Sequence, residues 1–348
     1  MSNETVLVTG ASGFTGGHLA RRLARNGHTV RALIRSPVSP SWPDVRGIEF
    51  VQGDVRDPAA MRAAATGVDT VYHIAAAYRQ EGIERQHFFD INATGTENVL
   101  AAALEAGARR VVHCSTVGVH GDVQNAPADE EAPYAPGDHY QQSKLEGEMI
   151  ARHYQKDTDL AVTICRPGAI YGPGDLRFLK LFRAIKKRRF LMIGSGEVAY
   201  HLTFIDDLVD GLLLCGTREE AVGETFIIAG KTHTTLNEIT SHIAEELEVT
   251  VPRLRLPVWP FYWAGYCVEH VCRAIRVEPF LYRRRVDFFV KSRAFDITKA
   301  RTLLNYAPKV GVREGVHRTA EWYRRQGLLA ICSLLLLKDQ ALLLVMAV

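Results

Sequence analysis

Between residues 5 and 165 short apolar runs alternate with longer stretches whose apolar residues recur at helical spacing. Thr5-Val6-Leu7-Val8 reads as a strand that stops at Gly10. A helix over 14–26 follows through Phe14, Leu19 and Leu23 and is closed by Gly27. Further strands are predicted over 28–34, 48–52, 70–74, 110–114 and 160–165, with helices over 58–66, 84–105 and 140–154 between them. This alternation predicts an α/β fold, a doubly wound parallel sheet covered on both faces by right-handed crossovers. After Pro167 the rhythm breaks into segments punctuated by Pro and Gly, with helices over 178–187, 205–215 and 236–247. Residues 1–167 are therefore expected to form the ligand-bearing sheet domain and 168–326 a smaller C-terminal substrate lobe, with about 201–230 returning to the sheet.

The turn after the first strand, Gly10-Ala11-Ser12-Gly13-Phe14-Thr15-Gly16, spaces glycines as G-x2-G-x2-G. Small residues there let the backbone turn tightly and approach a pyrophosphate seated on the N-terminal dipole of the next helix. A dinucleotide is the ligand this position favours. The second strand ends Ala32-Leu33-Ile34-Arg35-Ser36, where an arginine stands in place of the carboxylate that would accept from an adenosine ribose. Arg35 suits a 2′-phosphate, with Arg31 on the same strand, so NADP is favoured over NAD. Asp54-Val55 after the third strand offers an acceptor for the adenine amine or a cap for the next helix. Ala75-Ala76-Ala77 after the fourth strand is slim enough to let a cofactor pass.

Tyr140 and Lys144 form the chain's one Tyr-x3-Lys pair, one turn apart on a single helix face. A nearby ammonium lowers a phenol's pKa towards the range useful for proton transfer, as alcohol–ketone interconversion requires. Ser115 and Thr116 end the fifth strand, where the crevice of an open parallel sheet lies, and offer hydroxyls to a substrate oxygen. Asn92 is polar within a largely apolar helix.

The ordered set Gly10/Gly13/Gly16, Gly53-Asp54, Asn92, Ser115-Thr116, Tyr140-x3-Lys144 and Arg166-Pro167-Gly168-Ala169-Ile170-Tyr171-Gly172-Pro173 resembles the extended short-chain dehydrogenases/reductases. These belong to the NAD(P)-dependent epimerase/dehydratase superfamily, and the resemblance covers residues 4 to about 325. It implies a Rossmann-type fold, Tyr140 as general acid/base, and Lys144 orienting the nicotinamide ribose. Thr116 takes the place of the catalytic Ser or Thr, with Ser115 beside it. The cofactor-binding set it implies adds Ser12, Phe14, Thr15, Val55, Asn92 and Ile170 to the residues above, with Pro167 and Gly168 at the nicotinamide carboxamide. Two departures narrow the branch. Val117-Gly118 stand where sugar 4,6-dehydratases carry Asp-Glu, and Tyr200-His201 stand where nucleotide-sugar epimerases place a phosphate-clamping arginine. Aromatic and apolar residues at 258–266, Arg283 to Phe289 and the run from Phe295 to Pro308 are similar to the 3β-hydroxysteroid dehydrogenase-like branch.

An NAD(P)-dependent oxidoreductase acting on an apolar secondary alcohol or ketone, sterol-like or β-keto/hydroxy acyl, is the expectation. A nucleotide-sugar 4-epimerase holding its NAD is the alternative, and a silent dinucleotide-binding regulator is a third reading. The resemblance also implies a homodimer through the helices at 84–105 and 140–154. With 42 basic residues, 39 acidic ones and a net charge of +3, the chain offers no nucleic-acid partner. Six scattered cysteines without a Cys-x2-Cys pair read as free thiols and give no metal site. With a strand starting within a few residues of Met1, they make the cytoplasm the expected location. The apolar stretch 327–348 is interrupted by Lys338 and Asp339, too short on either side to span a bilayer. A membrane-surface contact, a partner surface and a disordered end all fit it.

Overall fold

Val6 and Val8 turn to one face of the first strand, β1 (Thr5–Thr9), and Leu7 to the other, and all three are buried. A strand that buries both faces needs a layer on each, and two separate cores meet that need. The computed structural model describes residues 4–36, 47–78, 83–123, 125–251, 254–274 and 283–330. Seven strands form one parallel sheet: β1, β2 (Thr29–Ile34), β3 (Ile48–Gln52), β4 (Thr70–His73), β5 (Arg110–Cys114), β6 (Val162–Pro167) and β7 (Thr225–Ile228). Their order is β7-β6-β5-β4-β1-β2-β3. Val6 pairs with Val30 on one side and with Thr70 on the other, so the strand order reverses at β1 and β4. At that switch point the loops leaving the two strands diverge and open a crevice.

Helices α1 (Phe14–Arg25), α2 (Pro58–Ala65), α3 (Arg85–Phe89), α4 (Gly95–Glu105) and α5 (His139–Asp157) are interspersed among the first six strands, with α3 and α4 both between β4 and β5. α5 starts where Asp138 accepts from the Gln141 amide at 2.8 Å, which sets the phase of the Tyr140 face. Beyond β6 come α6 (Leu179–Lys186), α7 (Ile205–Thr217), α8 (Leu236–Glu246), α9 (Val258–Ala274), α10 (Arg283–Val290), α11 (Thr298–Leu304) and α12 (Val312–Arg325). α7 packs on α1 and on β5 and β6, whereas α8 packs on α6 and α12.

Two elements differ from the expectation. The helix expected over 84–105 is interrupted by a π turn, Asp90–Thr94, between α3 and α4. The wider turn carries Asn92 towards the loop after β4, and α5 comes so close that a Cβ on Gly147 would sit 2.0 Å from the Asn92 carbonyl. The seventh strand, β7, is not among the predicted strands; it follows α7 within the segment expected to return to the sheet and joins it through Thr225 opposite Ile164. The apolar sequence beyond residue 330 lies outside the described residues.

Candidate active site

The glycine turn is shaped by backbone contacts. Gly10 has φ +69°, and a Cβ there would lie 2.7 Å from the Ala75 amide nitrogen. A Cβ on Gly16 would lie 2.3 Å from the Gly10 carbonyl oxygen. A larger residue at Gly16 would therefore push α1 away from the turn, and one at Gly10 would push away the loop after β4. Gly13 precedes the first turn of α1 with no side chain capping it, so that helix terminus faces a cavity of about 550 Å³ at the ends of the strands. Such a cradle of amides and small residues fits a dinucleotide pyrophosphate.

Gly10, Ser12, Gly13, Phe14, Thr15 and Gly16 line the cavity on one side, Arg35, Asp54 and Val55 at one end, and Ala75, Ala76 and Ala77 along its length. Arg35 is exposed, whereas Arg31 is tied to the Ala64 and Thr66 carbonyls at 2.7 and 2.8 Å. Asp54 accepts from Arg56 at 2.7 Å, which holds its carboxyl below the usual range. The cap of α2 is Asp57, which accepts from the Ala59 amide at 2.9 Å.

Ser115, Thr116, Tyr140, Lys144, Pro167, Gly168 and Ile170 line the rest of the same cavity. Lys144 is buried and donates to the Cys114 carbonyl at 2.7 Å, and burial lowers its pKa. The Tyr78 ring meets Tyr140 edge-on at 5.1 Å. The Thr116 hydroxyl oxygen accepts from the Gly118 amide at 3.0 Å, which leaves its own O–H to donate.

Two residues depart from the roles expected of them. Asn92 does not reach the cavity. Its amide accepts from Ala77 N at 2.8 Å and donates to Ala77 O at 3.0 Å and to the Ser143 hydroxyl at 2.9 Å. Ser143 in turn donates to the Tyr140 carbonyl at 2.9 Å, so Asn92 ties the alanine loop to the tyrosine's turn. Ser115 is the other. Its hydroxyl donates to Glu148 at 2.6 Å and is thereby withheld from a substrate oxygen.

That carboxylate belongs to a buried network that sequence reasoning missed. Arg166 donates to both Glu148 oxygens, at 3.0 and 2.5 Å, to the Glu130 carbonyl at 2.7 Å, to the Tyr134 hydroxyl at 2.8 Å and to His120 Nε2 at 3.0 Å. All five guanidinium N–H groups are used. His120 must then accept at Nε2 and carry its proton on Nδ1, which faces the Pro133 carbonyl at 3.2 Å. Burial alone would raise the Glu148 pKa, but the Arg166 and Ser115 hydrogen bonds hold it below the ordinary value. An arginine inside an apolar strand and a glutamate one turn beyond Lys144 were the available signal.

Beneath Lys144 lie two buried imidazoles. His73 accepts from Thr9 at 2.8 Å and donates to Thr96 at 3.0 Å, a direction set by Thr96 giving its proton to the Asn92 carbonyl. Burial and the neighbouring ammonium push His73 down to about 3 and His113 well below its usual value. Both rings are neutral at physiological pH.

The far end of the cavity adds Tyr78, Gln141, Arg177, Tyr200, His201, Arg293 and Phe295. Arg177 pairs with Asp175 at 2.7 Å and lies over the Tyr78 ring at 5.2 Å. Arg293 lies over the Tyr200 ring at 5.7 Å. Position 200 itself carries no arginine, yet the fold delivers two from elsewhere to this wall. Among the described residues, no helix is long and apolar enough to cross a membrane.

Curated proteins similar to the chain over nearly its whole length include the following two. One is the N-acetyl-alpha-D-glucosaminyl-diphospho-ditrans,octacis-undecaprenol 4-epimerase of Escherichia coli O157:H7, 28% identical over 92% of this chain and 95% of that protein. Sterol demethylase protein B of Methylococcus capsulatus is 29% identical over 93% of this chain and 100% of its own length. Among solved structures, MoeE5 in complex with UDP-glucuronic acid and NAD superposes with a TM-score of 0.74 at 25% identity, covering 92% of this chain and 99% of that one. The model of the NAD dependent epimerase/dehydratase family matches residues 6–229. With the seven-stranded parallel sheet and the cavity at its switch point, these matches place the chain in that family, as an NAD(P)-dependent enzyme of the extended short-chain dehydrogenase/reductase type.

Proposed function

We propose that the protein interconverts a secondary alcohol and a ketone on a largely apolar substrate. The observation that carries this reading is the convergence of Thr116, Tyr140 and Lys144 on one cavity with the glycine cradle, with Val117 and Gly118 where an elimination would need an acid and a base. NAD(P), when bound, accepts or supplies the hydride. The Tyr140 phenolate oxygen takes the proton from the alcohol oxygen in one direction, and the hydroxyl so formed returns it in the other. Thr116 donates its O–H to that oxygen and fixes its position, while Ser115 supports the same strand end through Glu148. Lys144, anchored on the Cys114 carbonyl, holds positive charge beside the tyrosine and favours its ionised form. Ile170, Ala169, Tyr200, Phe295 and Tyr78 give the far wall its apolar and aromatic character, which suits a sterol-like or β-keto acyl skeleton.

A second reading, 4-epimerisation of a sugar diphosphate, is favoured by Arg177 and Arg293, whose guanidinium groups suit a diphosphate. The E. coli relative, named for a lipid-linked diphospho-sugar, supports it. For the cofactor, exposed Arg35 and the missing carboxylate at the end of β2 support NADP over NAD. The test is NADPH and NADH oxidation against sterol, β-keto acyl and nucleotide-sugar ketones, with mass spectrometry of any co-purified nucleotide. Net oxidation with an apolar ketone supports the first reading, and Arg35→Ala should then reduce the NADPH preference about tenfold. Tightly retained NAD with isomerisation but no net redox supports the second.

A further inference from the structure

The helix α9 is built inside out for a water-facing surface. Trp259, Tyr262, Trp263 and Tyr266 recur at i, i+3, i+4 and i+7, which places them on one face. Trp259 is 68% and Trp263 63% exposed, with Tyr262 at 40% and Tyr266 at 41%. The other side of the helix carries buried Gly265 and Cys272, and Val258 packs against Gly194. Of the three tryptophans among the described residues, the two on this face are the exposed ones, so the patch is not ordinary surface scatter. Leu254, just before the helix, is 57% exposed and extends it.

Charge separates the possible occupants. Leaving out Arg293, which lies on the cavity wall, residues 253–292 contain eight Lys/Arg and three Asp/Glu, although the whole chain is only +3. Two copies meeting through this face would bring two basic segments together, and like charges oppose such a pairing. An anionic surface is the complement. Trp and Tyr, with an apolar ring body and a polar edge, fit the headgroup level of a bilayer better than a dry protein interface, and a segment rich in basic residues adds attraction to anionic lipid.

We propose that the Trp259/Trp263 face of α9 docks on the surface of an anionic lipid bilayer, lying in the interface without spanning it. The docking face belongs to the lobe that walls the substrate end of the cavity. α9 packs on α10, and the α10 carbonyl of Phe288 accepts from the hydroxyl of the cavity residue Tyr200. The inference stands on this surface and not on the identity of the substrate.

The test is co-sedimentation of the full-length chain with vesicles of phosphatidylcholine, with and without phosphatidylglycerol, at low and high salt. Binding is expected to need phosphatidylglycerol, to weaken with salt, and to fall at least about tenfold in the Trp259→Ser/Trp263→Ser variant with nucleotide binding retained. Quenching of tryptophan emission by brominated lipid in the unsubstituted chain gives a readout that does not depend on the variant folding. No binding, no quenching, or equal binding by the double variant overturns the proposal. Equal binding by the variant would assign the contact to another segment, such as the C-terminal stretch. A drop in the variant's solution mass with vesicle binding unchanged would make the face a self-interface and equally overturn it.

Discussion

The two ends of the cleft are built by different rules. At the cofactor end one continuous segment, Gly10 to Gly16, does most of the shaping, and it does so with backbone: a left-handed Gly10, a Gly16 without room for a methyl group, and an uncapped helix terminus. At the substrate end Tyr78, Gln141, Arg177, Tyr200, Arg293 and Phe295 arrive from separate parts of the chain, and only their side chains meet. Shape that depends on local backbone is written locally. Selectivity that depends on convergent side chains is written across the whole fold.

The Arg166–Glu148 pair joins α5 to β6. Arg166→Met leaves Glu148 buried with only Ser115, Tyr134 and the partly exposed Arg152 as donors and should lower stability by about 3 kcal/mol, read as a shift in the urea midpoint. Unchanged stability would mean that the network is not a joint between α5 and β6. Gly16→Ala acts on the cofactor end alone. It should weaken nucleotide affinity by about 100-fold in calorimetry while the substrate lobe keeps its fold, because the methyl would overlap the Gly10 carbonyl.

Acid should weaken the sheet beneath Lys144. His73 and His113 are held neutral, with folded pKa values depressed below the ordinary 6.5, so the unfolded chain binds protons first as pH falls. Their contribution is complete above about pH 6.5 and declines below it. By pH 5 the neutral His73 imidazole accounts for a loss of roughly 2 kcal/mol, and His113 acts in the same direction. Urea titrations at neutral and mildly acidic pH measure this, and a stability independent of pH across that interval would show that the rings protonate in place.

The same contrast explains what the sequence could announce. The strand and helix alternation and the glycine spacing are periodic or contiguous signals, and the Tyr140 helix, capped by Asp138, runs at least as far as its pattern suggested. The interruption at Asp90–Thr94 was hidden, because a π turn keeps the same apolar residues and changes only where Asn92 points. Ser115 gave no sign that its proton goes to Glu148, since a serine at a strand end looks the same whether it faces a substrate or a buried carboxylate. Arg293 lies almost 100 residues beyond Tyr200, and only the parallel bridge between them brings the arginine to the cavity wall. No local pattern marks such a pairing.

The most direct measurement is Tyr140→Phe, assayed at 340 nm for nicotinamide oxidation with an active ketone and by calorimetry for nucleotide affinity. The expected result is a fall in turnover of about 1000-fold or more with nucleotide affinity changed by no more than a small factor, because only the proton-carrying hydroxyl is removed. Turnover retained at the unsubstituted rate would contradict the assignment of proton transfer to Tyr140, and with it the account of this cleft as a hydride-transfer site served by the Tyr140 helix.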